Sequence, residues 1–269
     1  MTHEFAFTGE DFQRVRQLIA AYAGISLHER KQNMVYNRLV RRLRATGRAS
    51  FREYLDWVQT PGSEERERFV NALCTNLTAF FREPHHFEML AAKARESAAA
   101  QRGAPLRVWS SACSSGEEAY SAAITLADAG CTAEILGSDI DTEALEAARA
   151  GTYSMAALQS LGAEQKRRYF LKGVGANAGQ ARVRPELREA VKFVFRNLLA
   201  AQWPAGERFD AVFCRNVMIY FDRPTQARLL GRFVEVLKPG ALLFLGHSES
   251  CAAGHAAFRA CGRTVYERR

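Results

Sequence analysis

The segment 106–121, LRVWSSACSSGEEAYS, constrains the fold more than any other part of the chain. A short apolar run at Leu106–Trp109 is followed by a turn of small residues that ends at Gly116. Glu117 and Glu118 then open a predicted helix. A strand, a small-residue turn and a helix in this order are typical of α/β folds, in which the turn brings the backbone close to a nucleotide-like ligand.

The same turn indicates what kind of ligand the fold holds. It lacks the G-x-G-x-x-G pattern that binds the pyrophosphate of a dinucleotide, and it presents the carboxylates of Glu117 and Glu118 in place of a basic cradle. We therefore expect a ligand with hydroxyl groups and a positive charge but without phosphates. A third acid, Asp139, lies 23 positions after Gly116 at the end of the next predicted strand, where a carboxylate accepts hydrogen bonds from ribose hydroxyls. Its alternative role is a helix N-cap, for which Asp141 is better placed.

Beyond residue 106 the hydrophobic pattern alternates between strands and helices, which predicts an α/β domain. We predict strands at 106–109, 133–138, 191–195, 209–214, 241–246 and 263–267, with helices at 117–129 and 142–149 and from Asp222 onward. The segment 171–195 interrupts this alternation with a glycine-rich turn and two short strand-like runs, 180–183 and 191–195. It predicts a small antiparallel insertion that leads into the third strand of the core.

Ligands bind beyond the carboxyl ends of the strands in a sheet of this kind. The residues at these ends are mostly polar or acidic, and they are Ser110–Glu118, Asp139, Asn197, Leu198, Arg215, Asn216 and His247. None of them forms a Ser/His or Cys/His pair of nucleophile and base, and Cys113 has no obvious base to activate it. We therefore expect chemistry that proceeds without a covalent enzyme intermediate.

Residues 8–75 show helical periodicity only, which predicts a separate all-α domain. Its second helix, 31–45, carries a cluster of arginines: Arg38, Arg41, Arg42 and Arg44. No acidic residue occurs between residues 30 and 48 to pair with them locally. We expect this helix to dock an acidic surface, although a charge run is also typical of a face that only contacts solvent. Single-stranded nucleic acid is disfavoured because no aromatic residue is interleaved with the arginines to stack on bases.

The composition sets outer limits on the function. The chain of 269 residues has a formal net charge of +8 at pH 7, which indicates nucleic acid, a membrane surface or an acidic protein as partner, or else a basic composition without a partner. No apolar run approaches the ~18 residues of a membrane span, and the N-terminus lacks the features of a signal peptide. Six cysteines without a C-x-x-C pair indicate reduced thiols in the cytoplasm. His85 and His86 lack a third ligand at useful spacing, so we expect no metal site.

Five motifs occur in an order and spacing that together are specific to one family. They are TNLTAFFRE (75–83), SACSSGEEAYS (111–121), SDIDTEALEAARAGTY (138–153), FCRNVMIYFD (213–222) and LKPGALLFLGHSES (237–250). With these motifs, nearly the whole chain resembles the chemotaxis-receptor methyltransferases of the CheR type.

The resemblance implies a class I S-adenosylmethionine-dependent methyltransferase domain, Rossmann-like, with a small antiparallel β insertion and an all-α domain before it. It divides the chain into a helical domain at 1–75, a linker at 76–100 that contributes to the cofactor site, and a methyltransferase domain at 101–269 with the insertion at 171–195. The implied reaction transfers a methyl group from S-adenosyl-L-methionine to glutamate side chains on cytoplasmic helices of chemoreceptors. The products are glutamyl methyl esters and S-adenosyl-L-homocysteine. The implied protein is a cytoplasmic monomer that uses no metal, binds no nucleic acid and does not insert into a membrane.

Carried over by position, the family's cofactor contacts fall on Asn76, Thr78, Arg82, Glu118, Asp139, Asn197, Leu198, Arg215 and Asn216. Catalytic roles are implied for Arg82, Arg215 and Tyr220. Because receptor methylation regions are acidic helices, we expect the docking residues to be Arg38, Arg41, Arg42 and Arg44. In family members with a tethering function, the β insertion binds a C-terminal peptide of the receptor, and here Lys172 stands where arginine is common.

Methyl transfer to a glutamate needs no general base, because a carboxyl group with a pKa of about 4.3 is ionised at neutral pH. Two alternatives belong to other classes of protein. A nucleic-acid methyltransferase would suit the basic charge, but it often carries an Asn/Asp-Pro-Pro-aromatic run at its base-flipping pocket, which this chain lacks. A non-catalytic adaptor that binds S-adenosylmethionine would be indicated by the loss of Arg215, Tyr220 or Gly116, and all three are present.

Overall fold

The computed structural model describes residues 4–101, 104–201, 203, 206, 208–249 and 255–269. Cys251 lies outside this set, and none of the described helices is both long and apolar enough to cross a membrane. The helices are α1 Gly9–Ala23, α2 Gln32–Thr46, α3 Phe51–Gln59, α4 Glu65–Leu73, α5 His85–Gln101, α6 Glu117–Asp128, α7 Thr142–Ala150, α8 Ala163–Tyr169, α9 Pro185–Glu189 and α10 Arg223–Val236. The strands are β1 Leu106–Ser110, β2 Ala133–Asp139, β3 Thr152–Ser154, β4 Phe170–Lys172, β5 Gln180–Val183, β6 Val191–Phe195, β7 Phe209–Cys214, β8 Leu237–Leu245, β9 Phe258–Gly262 and β10 Val265–Arg268.

The first four helices form a domain with its own apolar core. Thr8 caps α1 through a capping box, in which the Asp11 N–H donates to the Thr8 hydroxyl oxygen at 3.1 Å and the Thr8 N–H donates to the Asp11 carboxylate at 2.9 Å. Gly24, in the left-handed conformation, ends α1. A Cβ at this glycine would collide with the side chain of Leu199. The end of α1 therefore packs directly against the second domain.

The second domain is built on a seven-stranded sheet with the order β6–β2–β1–β7–β8–β10–β9. The first five strands of this order are parallel, while β10 and β9 pair antiparallel. The chain runs outward from β1 through β2 to β6 on one side and through β7 to β8 on the other. The order thus reverses between β1 and β7, and the crevice at their carboxyl ends is the usual ligand position in such a sheet.

The antiparallel insertion is larger than the sequence pattern indicates. β3, β5 and β4 form a three-stranded sheet in that order, so the insertion begins at Thr152 and not at residue 171. β6 pairs in parallel with β2 and is the expected third strand of the core. β3 and β4 have three residues each, and runs this short show no detectable period of two in the sequence.

Two further segments differ from the sequence-based expectation. The segment 76–100, expected as a linker, contains most of α5, whose Phe87, Leu90 and Ala94 are buried in the core of the second domain. The helix is rich in alanine, so its apolar side is not set apart by an opposite charged side. β9 was not predicted at all, because only Phe258 among its residues is buried.

Candidate functional site

A cavity of about 460 Å³ lies between the two domains, at the carboxyl ends of β1, β2, β6 and β7. The helical domain, the loop before α5 and the strand ends all contribute to its wall. Every residue expected to contact the cofactor lines it, namely Asn76, Thr78, Arg82, Glu118, Asp139, Asn197, Leu198, Arg215 and Asn216. Tyr220 lines it as well, from the turn that follows β7. The fold therefore brings together residues that are up to about 140 positions apart in the sequence.

Arg215 follows β7 and is almost completely buried, with 2% of its side chain exposed. Its guanidinium lies 3.3 Å from a carboxylate oxygen of Glu118 and 3.6 Å from one of Glu83. It also donates a hydrogen bond to the carbonyl oxygen of Arg82. Because two carboxylates share one guanidinium, this end of the cavity has an excess of negative charge and suits a cationic ligand.

Glu118 lies in the first turn of α6 and faces the cavity. One of its oxygens accepts a hydrogen bond of 2.7 Å from the Ser110 hydroxyl, and the other faces Arg215. Burial raises the pKa of Glu118, and the opposing effects of Arg215 and Ser110 do not cancel the rise. A bound cation would favour the ionised form, so cation binding and ionisation of Glu118 promote each other.

Asp139 and Asp141 divide two roles between them. The Asp139 carboxylate accepts hydrogen bonds from the backbone N–H groups of Ser114 at 2.8 Å and of Asp141 at 3.0 Å. Asp141 is the N-cap of α7 and accepts from the Ala144 N–H at 3.1 Å, so Asp139 is not the cap. Burial raises the pKa of Asp139, although the backbone N–H donors act against it. Each of its oxygens keeps a lone pair for a hydroxyl donor in the cavity.

Two contacts tie the helical domain to this cavity. The Asn197 side chain donates to the carbonyl oxygen of Tyr22 at 2.9 Å, and the Ser26 N–H donates to the carbonyl oxygen of Tyr220 at 2.8 Å.

The Tyr220 hydroxyl has no hydrogen-bond partner in the part of the chain that the structure describes. Arg82 uses one guanidinium nitrogen to donate to a backbone carbonyl, 2.7 Å away in the same loop. Its remaining N–H groups and the Tyr220 hydroxyl are therefore available to a ligand.

Glu249 positions the loop that carries Arg215, and sequence reasoning assigned it no role. Its buried carboxylate accepts hydrogen bonds from the N–H groups of Asn216 at 2.8 Å, Ile219 at 3.3 Å and Gly246 at 2.6 Å. A Cβ at Gly246 would lie 2.5 Å from the Asn216 side chain, so glycine is required there. The available signal was an acid shortly after the apolar end of β8.

Glu83 is a second functional residue that the sequence did not reveal. Besides Arg215, it contacts His247, whose N–H donates to it at 3.2 Å. Burial alone would raise the pKa of Glu83, but Arg215 and His247 outweigh it and the pKa is lowered.

Glu83, His85 and His86 also bring one donor atom each to within 4.8 Å of one another, so a third group does lie near the two histidines. Burial and Arg215 lower the pKa of His86 to about 3, and its imidazole is neutral at physiological pH.

Unusual backbone conformations concentrate around the cavity. Five non-glycine residues in the described chain have positive φ, and four adjoin this site: Phe81, Glu83, Ser114 and Asn216. Conformations of this kind cost roughly 1–3 kcal/mol each and persist where the surrounding contacts fix them. Gly116, at φ +95°, belongs to the same turn as Ser114, and a Cβ there would lie 2.9 Å from that of Ala148. The turn between β1 and α6 thus depends on a glycine for both conformation and space.

Acids that are distant in sequence reach the arginines of α2. Arg42 forms two hydrogen bonds of 2.8 Å with the carboxylate of Glu65, whose side chain is 4% exposed. Arg44 pairs with Glu4. Residues 30–48 contain no acid that could pair locally, but Glu65 and Glu4 lie outside this segment and reach the helix through the tertiary fold. Arg42 is a structural group, because its removal would leave a buried carboxylate unpaired.

The remaining residues expected to dock substrate are in two different situations. Arg38 is engaged within the chain, since it donates to the carbonyl oxygens of Leu73 at 2.9 Å and Cys74 at 2.6 Å. Arg41 is exposed and has no partner among the described residues. Lys172 is exposed on β4, an edge strand of the insertion. Of the five residues expected to dock substrate, Arg41 and Lys172 have side chains that are available for it.

Two family models cover most of the chain. The model for the all-alpha domain of CheR methyltransferase matches residues 10–74, and the model for its SAM binding domain matches residues 76–266. The chain belongs to the CheR methyltransferase family. The two matched regions of this CheR family member meet at residue 75, where α4 has ended and the loop that lines the cavity begins.

Relatives of this CheR family member align over nearly their whole length. Chemotaxis protein methyltransferase 2 of Pseudomonas aeruginosa is 52% identical over 98% of this chain and 94% of that protein. The chemotaxis protein methyltransferase of Escherichia coli is 50% identical over 99% of this chain and 93% of that protein. Among solved structures, magnesium protoporphyrin IX methyltransferase from Synechocystis with bound SAM covers 79% of this chain and 91% of its own, with 18% identity and a TM-score of 0.36. The predicted resemblance and the predicted all-α and methyltransferase organisation are confirmed.

Proposed function

We propose that this protein transfers the methyl group of S-adenosyl-L-methionine to glutamate side chains on cytoplasmic helices of chemoreceptors, giving glutamyl methyl esters and S-adenosyl-L-homocysteine. The observation that carries the proposal is the cavity, because it collects all the residues that the resemblance assigns to cofactor binding and catalysis. The relatives from Pseudomonas aeruginosa and Escherichia coli are chemotaxis protein methyltransferases, which supports a substrate in chemotaxis.

The side chains of the cavity fit S-adenosylmethionine. Glu118 would hold the ammonium group, because Arg215, the cation that pairs with it in the described chain, also faces a second carboxylate. Asp139 would accept hydrogen bonds from the ribose hydroxyls, and the apolar wall at Ile140 and Leu198 suits the adenine. When bound, the cofactor supplies an electrophilic methyl group on a sulfonium.

The acceptor needs orientation and loss of water, since a glutamate is already ionised at neutral pH. Arg82 and Tyr220 line the cavity with available N–H and O–H groups, and they would hold one carboxylate oxygen while the other stays free to react. The terminal nitrogens of Arg215 face Glu118, Glu83 and the carbonyl oxygen of Arg82, so we assign this residue a positioning role that fixes Glu118 and the backbone of Arg82. The position between two domains excludes water from the reacting groups.

Receptor docking would use fewer charges than the sequence suggests. Arg41 on α2 and Lys31, which lines the cavity, are exposed cations without an ion-pair partner in the described chain. They would attract acidic receptor helices and speed the encounter. Lys172 would take part where a receptor carries a C-terminal peptide for the insertion.

A labelling experiment tests the proposed function. The protein is incubated with S-adenosylmethionine labelled in its methyl group and a receptor cytoplasmic fragment, and alkali is then added. We expect volatile labelled methanol, because alkali hydrolyses methyl esters but leaves methylated bases and amines intact. Label that resists alkali would contradict the proposal, and transfer to nucleic acid would favour the nucleic-acid methyltransferase. Cofactor binding without any transfer would favour the adaptor.

A further inference from the structure

Two large apolar side chains stand in solvent at the cavity. Leu77 is 77% exposed and Ile219 is 51% exposed, and both line the cavity wall. Four other large apolar side chains in the described chain are exposed, but none of them lines it: Met155, Leu171, Val174 and Phe195. Leu77 lies between Asn76 and Thr78, and Ile219 immediately precedes Tyr220, so both are next to residues that the proposed function uses.

The backbone beneath each of these side chains is fixed. The carbonyl oxygen of Leu77 accepts a hydrogen bond of 2.7 Å from the Arg82 guanidinium. The N–H of Ile219 donates to Glu249 at 3.3 Å, and Glu249 is itself buried and holds two further N–H groups. Both loops are anchored, so a lack of anchoring contacts does not explain why these two side chains are exposed. Each side chain keeps apolar area in water, and burial of that area on binding would be favourable by about 25 cal/mol per Å².

The size of the substrate requires contact with the mouth of the cavity. A glutamate side chain reaches only about 5 Å from its Cα to its carboxylate oxygens, given the usual bond lengths. A helix with its side chains has a radius of about 5–6 Å. A receptor helix that delivers this carboxylate to groups inside the cavity must therefore press its own surface against the mouth.

We propose that Leu77 and Ile219 form an apolar rim that binds the uncharged surface of the receptor helix beside the glutamate to be methylated. This inference rests on the proposed function and adds a determinant of substrate recognition to it. The occupant is a helix that is uncharged next to its reactive glutamate and acidic elsewhere. A charge placed against the rim would lose its water without gaining a partner. The acidic remainder of the helix faces Lys31, which lines the same cavity, as in interfaces with an apolar centre and a charged periphery.

Serine variants of the rim test this inference. We expect Leu77→Ser, Ile219→Ser and the double variant to raise KM for a receptor cytoplasmic fragment, by about tenfold in the double variant. Both kcat at saturating fragment and the Kd for S-adenosylmethionine should stay within about twofold of wild type, because the variants leave unchanged every residue that we assign to the cofactor. Val174→Ser is the matched control, since Val174 is 79% exposed and lies outside the cavity. The fragment ends before the receptor's C-terminal tail, so that contacts at the insertion do not contribute.

An unchanged KM for the receptor fragment in the double variant would overturn the inference that the rim binds the receptor helix. A loss of cofactor affinity that parallels the loss of turnover would overturn it as well. A failure of the proposed function is distinguishable, because wild type would then form no alkali-labile ester. In that event, direct titration of the receptor fragment decides the inference. Binding that is weakened by the rim variants but not by Val174→Ser supports it, and equal binding or no binding by wild type overturns it.

Discussion

The cavity between the domains and the basic helix α2 are both rich in charged residues, but their charges are balanced differently. In the cavity, Arg215 serves two carboxylates, and Glu118 keeps a raised pKa because burial is not fully compensated. On α2, Arg42 and Arg44 each have one acid from a distant segment. The cavity therefore has negative charge that is not fully compensated and that a cationic ligand can neutralise, whereas Arg42 and Arg44 on α2 are already paired. A charge imbalance in a buried place is a better indicator of function than the number of charges on a surface.

Removal of Arg215 should break the balance in the cavity most severely. In Arg215→Ala, Glu118 and Glu83 would lie in the same buried region without their common cation. We expect kcat/KM for methyl ester formation to fall by roughly 100-fold to 1,000-fold. We also expect thermal unfolding to occur at lower temperature, since breaking a buried ion pair costs about 3–5 kcal/mol.

Arg215→Lys is the matched variant for this prediction. An ammonium group restores the charge but cannot reach both carboxylates and the Arg82 carbonyl in one planar arrangement. Stability should recover in part while the rate stays low. Turnover at the wild-type rate in either variant would remove Arg215 from the mechanism.

Glu118→Gln should have the next largest effect and should alter a pH dependence. Loss of a charged hydrogen-bond partner for the cofactor ammonium should weaken S-adenosylmethionine binding by about tenfold to 100-fold. Burial raises the pKa of Glu118, and the carboxylate must be ionised to pair with the ammonium. Wild-type affinity should therefore fall as the pH drops through this raised pKa, and calorimetric titration at several pH values measures it.

Asp139→Asn controls for the second buried acid of the cavity, whose pKa is also raised by burial. It should weaken binding through the ribose contacts but keep the pH dependence that arises from Glu118. A pH profile in Glu118→Gln that matches wild type would show that another group holds the ammonium.

Most of the site could be predicted because the topology of a parallel sheet places the carboxyl ends of its strands along one edge. Asp139, Arg215 and Asn216 follow strands whose apolar runs are evident in the sequence, so their convergence follows from the fold. The N-caps at Thr8 and Asp222 were also predictable, since capping depends on residues three positions apart.

The rest of the site depends on contacts that have no local signature. Glu249 acts on Asn216 from 33 positions away, and Glu83 acts on Arg215 from a loop 132 positions earlier. Arg42 finds Glu65 only after α2 and α4 have packed together, 23 positions apart. In each case the partner is chosen by tertiary packing, and a window of sequence around either residue does not contain it.

Arg41 and Arg42 are adjacent on α2, but Arg42 is paired with a buried acid and Arg41 has no partner in the described chain. The free energies of unfolding of their alanine variants measure this difference. Arg42→Ala leaves the carboxylate of Glu65 buried without its ion pair, and the arginine itself is 24% exposed. We therefore expect the free energy of unfolding to fall by about 2 kcal/mol, somewhat less than for a fully buried pair. Arg41→Ala should leave it unchanged within about 0.5 kcal/mol. Denaturant titration of both variants checks this, and equal losses would contradict the assignment.

The smallest expected effect is that of Arg41→Ala on receptor docking, which should depend on salt far more than cofactor binding does. An exposed charge contributes at most about 1 kcal/mol to an encounter, so Arg41→Ala should raise KM for the receptor fragment by about twofold to fivefold at low salt. Because ions screen exposed charges beyond about 10 Å at 0.1 M salt, this difference should disappear as salt is raised. Wild-type receptor methylation should weaken in parallel, while binding of S-adenosylmethionine in the enclosed cavity changes far less. Equal salt sensitivity of methylation and cofactor binding would mean that receptor docking does not depend on the exposed cations of α2.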